Sequence, residues 1–125
     1  MDSLKLNLDV KEIYKLKEFI DEIIQKKDLK VDLIVEEIFV NIVNYSNADF
    51  VHINADYNDP ILTIEFVDNG IEFDPTLSEG PQKPDSIEDA TVGGLGIFLS
   101  KQLADDLIYQ YVNGENHLKI IKTVK

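Results

Sequence analysis

The sequence contains no cysteine, which excludes disulfide bonds and thiolate metal sites. It also contains no arginine, so its 12 basic residues are all lysines, against 24 acidic residues and a formal net charge of −12. A charge of this size and sign repels nucleic acid and anionic membrane surfaces. We therefore expect no direct binding to either, and a strongly anionic ligand would have to be held by backbone amides, a metal ion or a few local lysines.

Long apolar runs are absent as well. No stretch approaches the roughly 20 residues that a membrane-spanning helix needs. The start of the chain, MDSLKLNLD, alternates polar and apolar residues and lacks the basic and apolar segments of a secretion signal. We predict a cytoplasmic protein. Its 125 residues and 44% hydrophobic content are typical of one globular domain, residues 1–125.

Hydrophobic periodicity predicts the order strand, helix, helix, strand, strand, loop, helix, strand, strand. Apolar residues at every second position indicate the strands, and spacings of three and four indicate the helices. The predicted segments are a strand in SLKLNLD, helices over 10–27 and 30–46, a hairpin of FVHINADYN and ILTIEFVDN, a loop over 75–92, a helix from about Leu95 to Asp106, and a closing hairpin of LIYQYV and HLKIIKTV.

The second predicted helix carries a narrow polar strip on an otherwise apolar surface. At roughly 100° per residue, Glu37, Asn41 and Asn44 fall within about 60° of one another. One interpretation is the solvated face of an amphipathic helix. The other is a site, because an amide oxygen can ligate Mg²⁺ and a carboxylate one turn earlier can position or deprotonate a nucleophile. Tyr45 continues the Asn41 side of the helix and either lines the same cleft or packs, whereas Glu36 is interpreted as a surface acid.

The strand that ends in IEFVDNGIEFDP brings an acid and a glycine together. Asp68 at a strand end can accept a hydrogen bond from the exocyclic amine of a base, and Gly70 allows a flat ring to approach the backbone. The alternative is that Asp68, Asn69 and Gly70 form only a turn. Phe73, three residues further on, either packs beneath the loop or stacks on a ligand.

Three glycines in VGGLGIFLS precede the third predicted helix. Glycines at this point free the backbone to form a concave ring of N–H groups, to which the helix dipole adds partial positive charge. Phosphate oxygens could therefore lie against Gly93, Gly94, Leu95 and Gly96. A tight turn with close helix packing would use glycines equally well. The long loop over 75–92 is typical of a lid or binding loop, with disorder as the competing interpretation.

The chain carries, in this order, an E-x-x-x-N helix, a strand that ends in D-x-G-x-x-F-D-P, a long loop and the run G-G-L-G-I-F-L. This ordered set of motifs resembles the GHKL superfamily of ATP-binding domains. That superfamily includes the histidine-kinase catalytic domain, gyrase B and the heat-shock ninety class of chaperones. VDNGIEFDP and VGGLGIFLSKQLADDLIY are most similar to bacterial anti-sigma factor serine/threonine kinases. The resemblance implies an α+β two-layer sandwich, with a mixed, mostly antiparallel five-stranded sheet and three helices on one face.

The resemblance also implies residue roles, with ATP and Mg²⁺ as cofactors. Asn41 would ligate Mg²⁺, Glu37 would be the general base, and Asp68 would bind the adenine amine beside Gly70. The loop over 75–92 would be the ATP lid. The remaining candidate nucleotide contacts are Tyr45, Phe73, Gly93, Gly94, Leu95, Gly96 and Lys101, with Gly94 and Gly96 also forming the hinge of the lid.

Proteins of this branch phosphorylate a serine or threonine on an antagonist protein and also hold a sigma factor inactive, which regulates transcription. The resemblance therefore implies these two partners and a homodimer. Tyr45 stands where related sequences commonly carry a histidine, and Lys83 is the one lysine of the lid. A regulatory module that binds nucleotide and sequesters a partner without phosphoryl transfer is the alternative. A detached histidine-kinase catalytic domain is a third reading, which the placement of His52 and His117 in strand patterns disfavours.

Overall fold

The computed structural model of the protein describes residues 2–75 and 102–124, which form a five-stranded sheet and two α-helices. The elements, in chain order, are β1 (Asp2–Leu6), α1 (Ile13–Ile24), α2 (Leu29–Tyr45), β2 (Val51–Asn58), β3 (Ile61–Asp68), β4 (Asp106–Val112) and β5 (Glu115–Thr123), with a 3₁₀ turn at Val10–Glu12 before α1.

The strands lie in the order β1-β2-β3-β5-β4, and every neighbouring pair is antiparallel. The predicted two-layer α+β sandwich with five strands is confirmed, but its sheet is not mixed within the part of the chain that the structure describes. Side chains alternate between the two faces of a sheet. Ile53, Ile64, Phe66 and Ile120 share the buried face and form one core with the helices.

α2 begins at an aspartate cap, and both helices pack through apolar stripes. Asp28 Oδ1 accepts hydrogen bonds from the backbone N–H groups of Lys30 (2.9 Å) and Val31 (3.0 Å), which satisfies donors that the first turn of α2 leaves unpaired. α1 ends at Ile24, and its C-cap residue, Gln25, adopts a left-handed conformation with φ of 59°. The first helix is shorter at both ends than predicted, and the second matches its predicted bounds to one residue. The stripe of α1 that enters the core comprises Ile13, Leu16, Ile20 and Ile24.

The described residues contain two α-helices, where three were predicted. Most of the predicted third helix, from about Leu95 to Asp106, lies outside those residues. Gln102 and Leu103 are helical, but the helical conformation ends earlier than predicted, because β4 begins at Asp106, which pairs with Ile121. The closing hairpin is confirmed: Asn113 and Gly114 have φ of 53° and 78°, the two positive values that a type I′ turn requires. Neither α1 nor α2 is long and apolar enough to cross a membrane.

Candidate functional site

The C-terminal end of α2 packs directly against the turn that follows β3. Ser46, the C-cap residue of α2, accepts a hydrogen bond through its carbonyl oxygen from the N–H of Ile71, at 2.8 Å. A Cβ added to Gly70 would lie 2.3 Å from that same oxygen and 2.7 Å from Ser46 Cβ. Gly70 is therefore required for close approach of the helix end, a steric role that the sequence does not reveal. This contact brings two of the three predicted site segments together.

We expect Gly70→Ala to lower the free energy of unfolding by about 1–3 kcal/mol, the usual cost of overpacking a tight site. The obstructing atom is a backbone oxygen, so a rotamer change cannot relieve the clash. Chemical denaturation followed by circular dichroism measures the change. An unfolding midpoint equal to that of the wild type would contradict the close contact between Gly70 and Ser46.

The Asn69 side chain connects the residues just before β2 to the same turn through hydrogen bonds. Its Oδ1 accepts hydrogen bonds from the N–H groups of Asp49 (2.8 Å) and Phe50 (3.4 Å), and its Nδ2 donates to Asp49 Oδ2 at 3.2 Å. Because Asn69 lies between Asp68 and Gly70, these bonds restrain both neighbours. The sequence interpretation treated Asn69 only as a turn residue and missed this role.

Asp68 ends β3 with its side chain toward the helices and is 4% exposed. Its Oδ1 accepts hydrogen bonds from the N–H of Gly70 at 2.9 Å and from Asn116 Nδ2 at 3.1 Å. Within residues 2–75 and 102–124, its Oδ2 accepts none. Burial raises the pKa of the Asp68 carboxyl above its ordinary value, although the two hydrogen bonds oppose that shift. When ionised, the carboxylate presents one oxygen ready to accept a bond from a ligand.

Asn116, at the start of β5, is a site residue that the sequence analysis missed. It is 6% exposed and pairs with Asp68 in the β3–β5 register. A signal was available, because Asn116 precedes Leu118 and Ile120 at period two and so falls on the apolar face of its strand. A polar residue at such a position needs internal hydrogen-bond partners.

The polar strip of α2 lies on the flank of that helix away from α1. Glu36 accepts a hydrogen bond from Lys17 of α1 at 3.1 Å, so it belongs to an ion pair between the helices rather than standing alone on the surface. At roughly 100° per residue, Glu37 and Asn41 are turned about 100° and 140° from Glu36. Both residues are half-buried, and neither side chain has a hydrogen-bond partner among the residues that the structure describes.

The C-terminal part of the same strip lies near the turn along the axis of α2. Asn41 precedes Ser46 by five residues, which is roughly 7.5 Å of helix. Asn44 and Tyr45 are exposed, and Tyr45 at 48% is adjacent to the contact with the turn. Asn41 and Tyr45 thus lie near the helix end that the Asp68–Gly70 turn touches, whereas Glu37 lies nine residues before Ser46, roughly 13.5 Å along the helix axis.

Phe73 is 52% exposed, and the loop beneath which it could pack lies outside the described residues beyond Pro75. Its stacking on a ligand stays a prediction. Five further candidates (Gly93, Gly94, Leu95, Gly96 and Lys101) lie outside the described residues, as does the predicted lid beyond Pro75. Their roles in phosphate binding also stay predictions.

Comparison with known proteins decides the family. A family model described as the histidine kinase-like ATPase domain matches residues 10–122. The chain belongs to this family. The resemblance to GHKL domains is thereby confirmed, and membership of an ATPase family implies ATP binding.

The chain is also similar in sequence to the serine/threonine-protein kinase BtrW of Bordetella bronchiseptica. It is 29% identical to this chain over 92 residues, which are 70% of this chain and 65% of BtrW. The chain thus spans somewhat less than two thirds of that relative.

Solved structures of histidine kinases share the fold of this histidine kinase-like ATPase domain. Acinetobacter baumannii histidine kinase AdeS has a TM-score of 0.57 at 14% identity, covering 100% of this chain and 68% of that one. The catalytic domain of histidine kinase ThkA has a TM-score of 0.51 at 14% identity, covering 98% of this chain and 96% of that one. Identities this low establish the shared fold alone.

Proposed function

We propose that this protein is an ATP-dependent serine/threonine kinase of the anti-sigma type. In this proposal it phosphorylates an antagonist protein, binds a sigma factor, and works in the cytoplasm as a homodimer. The observation that carries the proposal is the contact of Ser46 with Gly70 and Ile71, because it joins the helix of Glu37 and Asn41 to the Asp68 turn. The name of BtrW as a serine/threonine-protein kinase supports the choice of acceptor residue.

Adenine recognition follows from the state of Asp68. Its Oδ1 is already occupied by two protein donors, so its Oδ2 is the oxygen left to accept the 6-amino group of adenine. A carboxylate is an acceptor only, so it favours a purine with a donor at this position over one with a carbonyl. This chemistry supports ATP, rather than GTP, as the nucleotide.

Phosphoryl transfer would depend on Glu37 and Asn41. The Asn41 amide oxygen is a hard donor of the kind that Mg²⁺ prefers, and Mg²⁺ commonly binds through one or two protein ligands together with substrate phosphates. The bound metal would offset charge on the phosphate oxygens. Glu37, one turn earlier and without a protein partner in the described residues, would orient the attacking hydroxyl and accept its proton.

The test of the proposal is incubation of the purified protein with Mg²⁺, γ-labelled ATP and antagonist proteins encoded in the same genome. We expect label on a serine or threonine of one antagonist and saturable ATP binding by calorimetry. No heat with any purine nucleotide would reject the proposal entirely. ATP binding with no labelled antagonist would instead favour a module that sequesters its partner without phosphoryl transfer, an alternative to which Tyr45 at the site points.

We expect Asn41→Ala to remove the magnesium dependence of ATP binding. In the wild type, chelation of Mg²⁺ should weaken ATP binding by about tenfold or more, in the range seen when metal ligation is disturbed. In the variant, affinity should be low with or without the metal. Asn44→Ala is the matched control, because Asn44 is on the same helix but exposed. Calorimetric titrations with and without chelator measure the difference, and a variant that keeps the full magnesium effect would exclude Asn41 as the ligand.

A further inference from the structure

Among the residues that the structure describes, Asn116 makes more hydrogen bonds within the candidate nucleotide site than any residue predicted from the sequence. Its Nδ2 donates to Asp68 Oδ1 at 3.1 Å and to the carbonyl oxygen of Ile71 at 2.9 Å, with a longer contact of 3.4 Å to the carbonyl of Gly70. Its Oδ1 accepts from the N–H of Phe73 at 3.1 Å and from the hydroxyl of Tyr109. One buried side chain thus joins β3, β4 and the segment from Gly70 to Phe73.

These contacts define a single orientation of the Asn116 amide. Turning it over would place its oxygen against the Asp68 carboxylate and the Ile71 carbonyl, and its NH₂ against the Phe73 N–H. Each of those pairings sets like against like, and a buried polar group left without a partner costs about 1–3 kcal/mol. The network is therefore satisfied in only one arrangement, which makes Asn116 a rigid support.

The support fixes the orientation of the Asp68 carboxyl group, so that one of its two oxygens is left to face a ligand. Asn116 and the N–H of Gly70 both bind Oδ1, so rotation of the carboxyl group would break two hydrogen bonds at once. We propose that Asn116 is a positioning residue which holds Asp68 Oδ2 toward the 6-amino group of a bound purine and so provides nucleotide selectivity. The inference rests on the proposed ATP-binding function, and it assigns to Asn116 no contact with the nucleotide itself.

The test compares ATP with purine riboside triphosphate, which lacks the 6-amino group. In the wild-type protein we expect ATP to bind at least about tenfold more tightly, as a hydrogen bond to a charged acceptor allows. Asn116→Ala should reduce the ratio of the two affinities, ATP over analogue, toward one, because it weakens the binding of ATP much more than the binding of the analogue. Tyr109→Phe, which removes only the hydroxyl that supports Asn116, should reduce the ratio by a smaller factor. Calorimetry gives the six affinities, for three proteins and two nucleotides, and thermal melting gives the stability of each variant.

Asn54→Ala is the control. This substitution also removes side-chain hydrogen bonds, those with Ser3 and Glu65, but Asn54 lies elsewhere on the sheet. Its ratio should equal that of the wild type. If Asn116 had only a structural role, Asn116→Ala would weaken the binding of both nucleotides equally. The ratio of the two affinities would then be unchanged, which would overturn the inference. If Asn116→Ala fails to fold, an unchanged ratio in Tyr109→Phe overturns it as well. Wild-type protein that binds neither nucleotide would refute the proposed function, whereas wild-type selectivity that survives both substitutions refutes the inference alone.

Discussion

Replacement of Glu37 by glutamine is expected to slow phosphoryl transfer by about 10²–10⁴-fold, the usual contribution of a general base. The amide keeps the shape of the side chain but cannot accept a proton from the attacking hydroxyl. Affinity for ATP should stay at the wild-type value, because Glu37 is assigned to the acceptor hydroxyl and Asp68 to the base of the nucleotide. Initial rates of labelled phosphate transfer, measured at saturating ATP and antagonist, give the effect.

Glu36→Gln is the matched control for that experiment. Glu36 is the neighbouring acid on the same helix, but it pairs with Lys17 of α1 at 3.1 Å, with side chains 44% and 27% exposed. A partly exposed ion pair contributes at most about 1 kcal/mol to stability. The control should therefore transfer phosphate at the wild-type rate. Equal rates for both variants, whether fast or slow, would contradict the assignment of Glu37 as the base.

The sheet could be predicted well because its signals are local. In β2 the buried residues Val51, Ile53 and Ala55 alternate with polar ones, and the partner strand begins after a turn containing Pro60. Each strand has one face in the core and one toward solvent, so period two is visible in the sequence alone. The helices were equally visible, since α1 and α2 bury residues at spacings of three and four.

The boundary between the third predicted helix and β4 was harder to predict, because helical and strand patterns meet in the segment LADDLIY. Leu103 and Ala104 pack against the core, and they fit either element. The structure begins the strand at Asp106, whose side chain accepts a hydrogen bond from the N–H of Leu107 at 2.9 Å. Pairing with β5 decides the boundary, and such long-range pairing has no signature within a short window.

The candidate site divides in the same way. Glu37, Asn41 and Asp68 were identifiable, because each is polar in an apolar pattern or ends a strand. Asn116 lies 48 residues after Asp68, and no short motif reports a contact over that distance. The docking of Ser46 on Gly70 is likewise a property of packing. The sequence therefore revealed groups that could contact a ligand better than the groups that hold them in place.

Replacement of Asp68 by asparagine should separate binding from stability. The amide can still accept the hydrogen bonds from Gly70 and Asn116 at its oxygen, but an NH₂ group replaces the free carboxylate oxygen. This NH₂ group would then face the amino group of adenine, and because both groups are hydrogen-bond donors, no hydrogen bond could form between them. Loss of a hydrogen bond to a charged group costs about 1.5–3 kcal/mol, so ATP affinity should fall by about 10–100-fold or more. Calorimetric titration measures the loss.

The fold without nucleotide should be at least as stable in Asp68→Asn as in the wild type at neutral pH. Burial raises the pKa of Asp68, so the ionised carboxylate destabilises the folded state above that pKa, and the penalty disappears as pH falls below the pKa of the unfolded chain. The stability advantage of the variant should therefore shrink toward acid pH, and ATP binding by the wild type should weaken over the same range. Asp56→Asn, at a partly exposed carboxylate that accepts a hydrogen bond from Asn58, is the control and should change neither property. A variant that binds ATP normally, or that gains no relative stability as pH rises from acid to neutral, would show that Asp68 is not the desolvated acceptor that this site requires.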